Sequence, residues 1–289
     1  MKKGYIFLIL CFSVNFIGSS HLNMLSYLQI DFDTSMLHLE RYNLPHALKD
    51  KDWIQVRKLY ENNIYDIEYS EEPRIPKIIH QIWLGSDFPS KYEAYQKSWI
   101  KNHPNWEYKL WTDKDISRLN MKNQRLYNSA KNYGEKSDIV RYEVLYQFGG
   151  LYVDTDFECL KPFDILHHIC DFYAGIVANP QVVTFNGLIA AKARHPILKK
   201  CLVDLQKNAQ NHNNSLEKTG PFFFTRCILS ELDKENIEKS VLFPAPYFYP
   251  WPWYKLNDHI NRQKYIKPES FAIHHWESSW MKKKLSSKK

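Results

Sequence analysis

No Cys-x-x-Cys pair occurs in the 289 residues, which argues against a cysteine-ligated zinc site. Zinc-finger spacing, an RRM signature and an obvious recognition helix are missing too. Nucleic acid is therefore set aside as a partner, despite a formal net charge of +7. Internal repeats and low-complexity stretches are absent, which excludes a solenoid or a linker-like chain. Beyond the first twenty residues, no segment is apolar enough over a sufficient length to span a membrane. What remains is a globular composition, with 44% hydrophobic, 25% charged and 15% aromatic residues. Disorder is excluded, and the length suits one large domain or two small ones. The aromatic content fits a large core, and also the aromatic faces of sugar- and base-binding clefts.

The N-terminus reads MKKGYIFLILCFSVNFIGSSH. Lys2 and Lys3 precede an apolar run from Tyr5 to Gly18, and small residues follow. This is the layout of a secretory signal. The run is short of the roughly 20 residues of a full span, so residues 1–20 read as a signal peptide or a short signal-anchor. Cys11 lacks the preceding small residue of a lipoprotein signal. Without the leader four cysteines remain, Cys159, Cys170, Cys201 and Cys227, allowing three pairings or none. Asn213-Asn214-Ser215 is a glycosylation acceptor pattern, relevant only in a eukaryotic secretory lumen. The tail MKKKLSSKK, 281–289, is either a solvated basic end or a contact for anionic lipid or another polyanion.

Residues 21–74 read as a lead-in segment or stem, with Trp53, Val56 and Tyr60 at helical spacing. IPKIIHQIWLG, 75–85, is a buried-type strand run. YEAYQKSWIKNHP, 92–104, reads as a helix stopped by Pro104, and WEYKLWTD, 106–113, as a strand. KSDIVRYEVLYQFGG, 136–150, is a helix with Ser137 as cap and Asp138 in the first turn, ended by Gly149-Gly150. QVVTFNGLIAAK predicts two short strands around Asn186-Gly187. HPILKKCLVDLQKN and TGPFFFTRCILSEL are helices opened by Pro196 and Pro221. Residues 241–254, rich in proline and aromatics, read as irregular, and SFAIHHW, 270–276, as a last strand. Strands alternating with helices indicate an α/β sheet with helices on both faces.

The chemistry concentrates in GGLYVDTDFE, 149–158. Strand alternation puts Tyr152, Asp154 and Asp156 on one side, near the strand's carboxyl end. Two hard oxygen ligands there suit Mg²⁺ or Mn²⁺, which would offset their mutual repulsion. A surface turn with two solvated aspartates is the plain alternative. A glycosidase pair is less apt, because its carboxyls stand about 5 Å or more apart across a bond. Asp138 and Arg141 share a helix face leading into this strand. They form either an ordinary ion pair or a contact for donor phosphate or sugar.

IPKIIHQIWLG, HPNWEYKLWTD and KSDIVRYEVLYQFGGLYVDTDFECLKPFD together resemble glycosyltransferase family 32. These are DXD-containing sugar transferases related to yeast-type α-mannosyltransferases, including inositol-phosphoceramide mannosyltransferases, and the clostridial glucosylating toxins share a similar core. The resemblance runs from about Ile75 to Trp280. It implies a GT-A catalytic domain over 75–280, with a mixed, mostly parallel central sheet. It also implies a retaining transfer from a nucleotide sugar with Mn²⁺ or Mg²⁺. The donor is then GDP-mannose or a UDP-hexose, with mannose ahead of glucose or galactose, and the acceptor a lipid, glycan or protein. Residue by residue, Trp83 matches the aromatic that stacks on the donor base, with a core tryptophan as the alternative. Asp138 and Arg141 match the pair on the donor sugar, and Tyr152 the tyrosine flanking the metal motif. Asp154 and Asp156 match the metal and donor contacts, and Asn186 a sugar contact. The C-terminal pattern x-x-Ser-x-Trp selects His275 as third metal ligand, together with Ser278 and Trp280, of which Trp280 closes over the diphosphate. His274 and Glu277 are rivals for the ligand position. Thr219-Gly220-Pro221 reads as a loop near the acceptor cleft or as simple helix capping. No convincing nucleophile is present, which favours a front-face route. The alternatives are a non-catalytic binding relative and a secreted effector that glycosylates a host protein. The leader points to the membrane or secretory pathway: a Golgi-type lumen in a eukaryote, an exported or membrane-bound site in a bacterium.

Overall fold

The computed structural model describes residues 28–277, apart from 233, 235, 236 and 238. The leader, the basic tail, Ser278 and Trp280 lie outside the described residues.

Six strands form the central sheet: β1 (Ile78–Ile82), β2 (Glu107–Trp111), β3 (Gly150–Val153), β5 (Phe172–Ile176), β6 (Thr184–Ala191) and β7 (Ser240–Phe243). Their order is β2-β1-β3-β6-β5-β7. The β1–β2, β1–β3 and β5–β7 pairs are parallel, and β6 is antiparallel to both β3 and β5. β6 alone therefore runs against the rest. A two-stranded antiparallel ribbon joins β4 (Phe157–Cys159) to β8 (Ala272–His274), pairing Phe157 with His274. The sheet is thus mixed and mostly parallel, in a GT-A arrangement. The Lys51–Ile64 helix packs on β7, the Tyr133–Phe148 helix on β3 and β6, and the Pro221–Leu229 helix on β6.

Apolar periodicity explains the helices. Trp53, Val56, Tyr60 and Ile64 form the buried stripe of the Lys51–Ile64 helix, as their spacing predicts. Residues 28–64 thereby join the same core as the sheet. The helix before the glycine pair begins earlier than Ser137. Asn132 accepts a hydrogen bond from the Glu135 N–H and caps a helix spanning Tyr133–Phe148. Asp138 consequently lies in the second turn, where burial and side-chain partners govern it rather than the helix end. The Asn186-Gly187 region lies within one strand, β6, rather than between two, but the register against β5 shifts there, from Ala174–Ile189 to Gly175–Phe185; the missing side chain of Gly187 leaves room for a neighbour described below. Residues 241–254 are partly regular, with β7 followed by an Ala245–Phe248 helical turn. Cys159, Cys170, Cys201 and Cys227 are buried free thiols, so none of the three pairings is made.

The helix-to-strand reversal at 149–150 needs its glycines. Both have positive φ, 67° and 100°, and a Cβ on Gly150 would meet the Ile78 carbonyl oxygen at 2.6 Å and the His80 ring at 3.0 Å. The His80 ring itself fastens this corner. It accepts from the Trp111 indole N–H at Nδ1 (3.1 Å), so its own proton sits on Nε2 and is donated to the Gly149 carbonyl (2.9 Å). Burial pushes the His80 pKa down to about 4, keeping the ring neutral.

Candidate active site

The site grows from the carboxyl end of β3. The strand stops at Val153, and Asp154, Thr155 and Asp156 form a tight turn closed by the Phe157 N–H donating to the Asp154 carbonyl (3.2 Å). The two carboxylates meet through this turn rather than through strand alternation. Tyr152, the last expected member, donates its buried hydroxyl to Asp154 Oδ1 at 2.6 Å.

Arg141 divides the site in two. Its guanidinium lies 3.2 Å from Asp138 Oδ1 and 3.3 Å from Asp154 Oδ1, over the Tyr152 ring, and donates to the Asn186 carbonyl. Burial works against its charge, but Asp154, Tyr152 and Asp138 outweigh that, so it stays protonated. On one side of it, Asp138 is caged. Asn186 Nδ2 donates to Asp138 Oδ1 (2.7 Å), and the Thr219 hydroxyl donates to Oδ2 (2.8 Å). The Tyr142 hydroxyl accepts from Asn186 and donates to the Thr219 carbonyl, closing the network. Burial pushes the Asp138 pKa up to about 6, with Arg141 and Thr219 offsetting part of the effect.

On the other side, Asp154, Asp156 and His274 each offer a ligand atom within 4.8 Å of the others. The His274 Nε2 lies 3.0 Å from Asp156 Oδ1, and the Glu277 N–H donates to Asp156 Oδ2 at 2.8 Å. Burial raises the Asp156 pKa, but His274 and this N–H overcome it and hold the carboxyl below its usual range. Asp154 is pushed up by burial, only partly relieved by Arg141, and Asp156 adds to the rise. Two hard carboxylates and one imidazole form a donor set that fits a divalent ion tolerant of nitrogen. His274 Nδ1 is also buried with no hydrogen-bond partner, so the ring is not fully committed to the protein.

The expected third ligand, His275, is not in this cluster. His274 ends β8 and faces Asp156, while His275, the next residue along the extended chain, points the other way, stacks on Tyr95 and pairs with Glu158 (3.1 Å). The Glu277 carboxylate is bonded to Lys91 (2.7 Å), so only its main chain reaches the site. Asp138, Arg141, Tyr152, Asp154, Asp156 and Asn186 are brought together as anticipated. Trp83 is half-buried at the ends of β1 and β2, where it lines a cavity of about 670 Å³ with Phe88, Leu110, Thr112, Asp113 and Lys114. Two residues before it, the Gln81 side chain donates to the Asp154 carbonyl (3.4 Å), tying the cavity to the acidic turn.

Sequence reasoning left three contributors without their role. Thr219 was readable as a motif residue, but its bond to Asp138 spans 81 positions. Tyr249 and Trp276 form an aromatic wall beside His274. The aromatic density of 241–254 and of the HHW segment was their only signal.

This is the arrangement of a GT-A domain, with acidic groups at the carboxyl end of a parallel strand of the central sheet. Comparison with known proteins agrees. Residues 89–172 match the glycosyltransferase sugar-binding region containing a DXD motif, and residues 190–289 match the α-1,4-glycosyltransferase conserved region. The chain is 33% identical over 184 residues to inositol phosphoceramide mannosyltransferase 3 of Schizosaccharomyces pombe, covering 60% of this chain and 49% of that one. It is 28% identical to mannosyl phosphorylinositol ceramide synthase CSH1 of Saccharomyces cerevisiae, covering 68% and 55%. The chain spans about half the length of the curated relatives it matches first. Among solved structures, the PaToxG glycosyltransferase shares the fold, with a TM-score of 0.51 and 23% identity over 65% of this chain and 78% of that one. Two segments of the chain, 89–172 and 190–289, thus carry the conserved regions of DXD-containing glycosyltransferases of the family-32 type.

Proposed function

We propose that this protein is a metal-dependent, retaining glycosyltransferase that moves a hexose from a nucleotide sugar to a hydroxyl acceptor. The observation that carries the reading is the convergence of Asp154, Asp156 and His274 beside Arg141. Asp154, Asp156 and His274 would hold Mn²⁺ or Mg²⁺, which supplies positive charge to the donor diphosphate and to its leaving group. Trp83 and its cavity receive the base. Asp138, ionised and caged, accepts from donor sugar hydroxyls, and Arg141 faces the phosphate oxygens. The sugar C1–O bond to the diphosphate breaks as a C1–O bond to the acceptor forms on the same face. The acceptor proton passes to the departing diphosphate oxygen. Positioning and charge stabilisation supply the rate acceleration, with no protein nucleophile.

The names of the yeast relatives favour mannose, hence GDP-mannose, with UDP-glucose and UDP-galactose next. They also favour a lipid acceptor over a glycan or protein, and the N-terminal leader favours a membrane of the secretory pathway. Among the described residues no helix is long and apolar enough to cross a membrane, and the apolar run of 5–18 lies outside them. The test is donor hydrolysis by the full chain against GDP-mannose, UDP-glucose, UDP-galactose and UDP-GlcNAc, with Mn²⁺ or EDTA. Turnover of one donor that EDTA removes supports the reading. Failure both to turn over and to bind any of the four with Mn²⁺ present overturns it.

A further inference from the structure

Phe185 and Trp276 stand half-buried beside the acidic turn, and their ring contacts place them there. Val153 pairs with Leu188, and the Asp154 N–H donates to the Gly187 carbonyl (2.8 Å). Gly187 leaves room for the Asp154 side chain: a Cβ there would meet Asp154 Oδ2 at 2.7 Å and the Phe157 ring at 3.3 Å. Past Gly187 the register of β6 against β5 shifts, and Phe185 pairs with Gly175. Trp276 faces it from the end of β8, with ring centroids 5.4 Å apart and planes at 84°. The indole also packs on His274, at 4.2 Å between centroids. Tyr249 backs both rings, 5.9 Å from Phe185 and 5.8 Å from Trp276.

Trp276 is held there at a cost. Its φ is 55°, in the left-handed region that a bulky residue avoids. Such a conformation persists only where the surroundings impose it. Its indole N–H donates to the Trp251 carbonyl (2.8 Å), which sets the ring's orientation. A strained backbone, an anchored N–H and a half-buried ring beside the acidic cluster describe a positioned surface more than a packing residue.

We propose that Phe185 and Trp276 form the acceptor subsite, a platform for the apolar face of a polyhydroxylated six-membered ring, either a hexose or a cyclitol. This deepens the transferase reading and rests on it. The aromatic rings take the C–H face of the acceptor ring, and its hydroxyl edge turns inward toward the Asp154 side, where transfer occurs. An acyclic polyol lacks that flat C–H face and is not held.

Saturation-transfer NMR on the full chain, loaded with Mn²⁺ and the nucleoside diphosphate of the working donor, tests this. The probes are methyl α-D-mannoside, methyl α-D-glucoside and myo-inositol, with glycerol as acyclic control. Saturation of one face of at least one ring, and none of glycerol, is expected. Comparing the hexosides with myo-inositol separates the two ring classes. Trp276→Ala and Phe185→Ala are expected to lower ring binding about tenfold, the order of one lost aromatic contact, with ring binding compared at matched nucleotide saturation. Trp276→Phe keeps a ring and most of the binding, and guards against an alanine variant that does not fold. Nucleotide binding without ring saturation in the wild type overturns the subsite and leaves the transferase reading standing. Ring binding that survives both alanine substitutions also overturns it. Absence of nucleotide binding sinks the transferase reading itself, and this inference with it.

Discussion

Asp138 and Asp154 flank the same guanidinium at nearly equal distances, 3.2 and 3.3 Å from Arg141, yet their surroundings differ. Both oxygens of Asp138 have protein donors, Asn186 and Thr219, and its side chain is 12% exposed. Asp154 has Tyr152 and Arg141, sits beside a second carboxylate, and is 28% exposed. One half of the site is complete without a ligand. The other gathers more negative charge than the protein neutralises. The lesson is that a satisfied cage can be held by folding alone, whereas a coupled carboxylate pair marks the place where a cation is expected.

Breaking the shared cation should have the largest effect. Arg141→Met leaves Asp138 and Asp154 buried without their counter-charge, and a loss of about 3–5 kcal/mol is expected by denaturant unfolding. The double variant with Asp138→Asn should cost less than the sum of the singles, because the partners are coupled. An additive result would mean that the cage is not a unit.

Asp156→Ala strikes only the open half. Metal-dependent donor turnover should fall about 10²–10³-fold, the scale of one lost charge-stabilising group. Unfolding without metal should show little loss, because the substitution also relieves repulsion on Asp154. A large loss of stability instead would show that Asp156 acts mainly as a structural partner of His274.

Gly187→Ala sharpens the comparison, since its Cβ would sit 2.7 Å from Asp154 Oδ2. Metal affinity, read by Mn²⁺ electron paramagnetic resonance, should weaken about tenfold, a misplacement effect. Unchanged Mn²⁺ binding would show that the carboxylate can step aside.

The two halves should also separate by pH. Burial raises the Asp138 pKa from 3.8 to about 6, so folding favours its protonated form. That contribution is fully present below about pH 4 and is lost as pH rises through about 6. Asp138→Asn should remove this slope from the pH dependence of stability. In turnover the same group gives an acid limb near pH 6, falling about tenfold per unit below it. Asp156, held low, adds stability above the usual carboxylate range that is lost only as pH falls below it. A stability slope that persists in the asparagine variant would assign it elsewhere. Smallest is Thr219→Val, which removes one donor to Asp138 at a cost of about 1 kcal/mol; Thr219→Ser should restore it.

Much of this was legible in the chain. The 149–158 stretch places its aspartates after two glycines, and the glycines are required by positive φ and by the close His80 ring. The Lys51–Ile64, Pro196–Asn211 and Pro221–Leu229 helices follow their apolar spacing and proline starts. The start of the Tyr133–Phe148 helix did not, because nine of its residues are buried with little amphipathic contrast and the Asn132 cap overrides Ser137. Nor did the third ligand position, where two adjacent histidines offered the same chemistry.

Sequence alone settled the residue types of the site and their local order, because turns, caps and carboxylate spacing act over a few residues. Tertiary structure decided which histidine faces Asp156, that Thr219 and Asn186 cage Asp138, and that Phe185 meets Trp276. Those choices depend on the pairing of β4 with β8 and of β3 with β6, contacts between segments far apart in the chain. A one-residue shift of β8 against β4 would bring His275 toward the place of His274, because strand side chains alternate with period two.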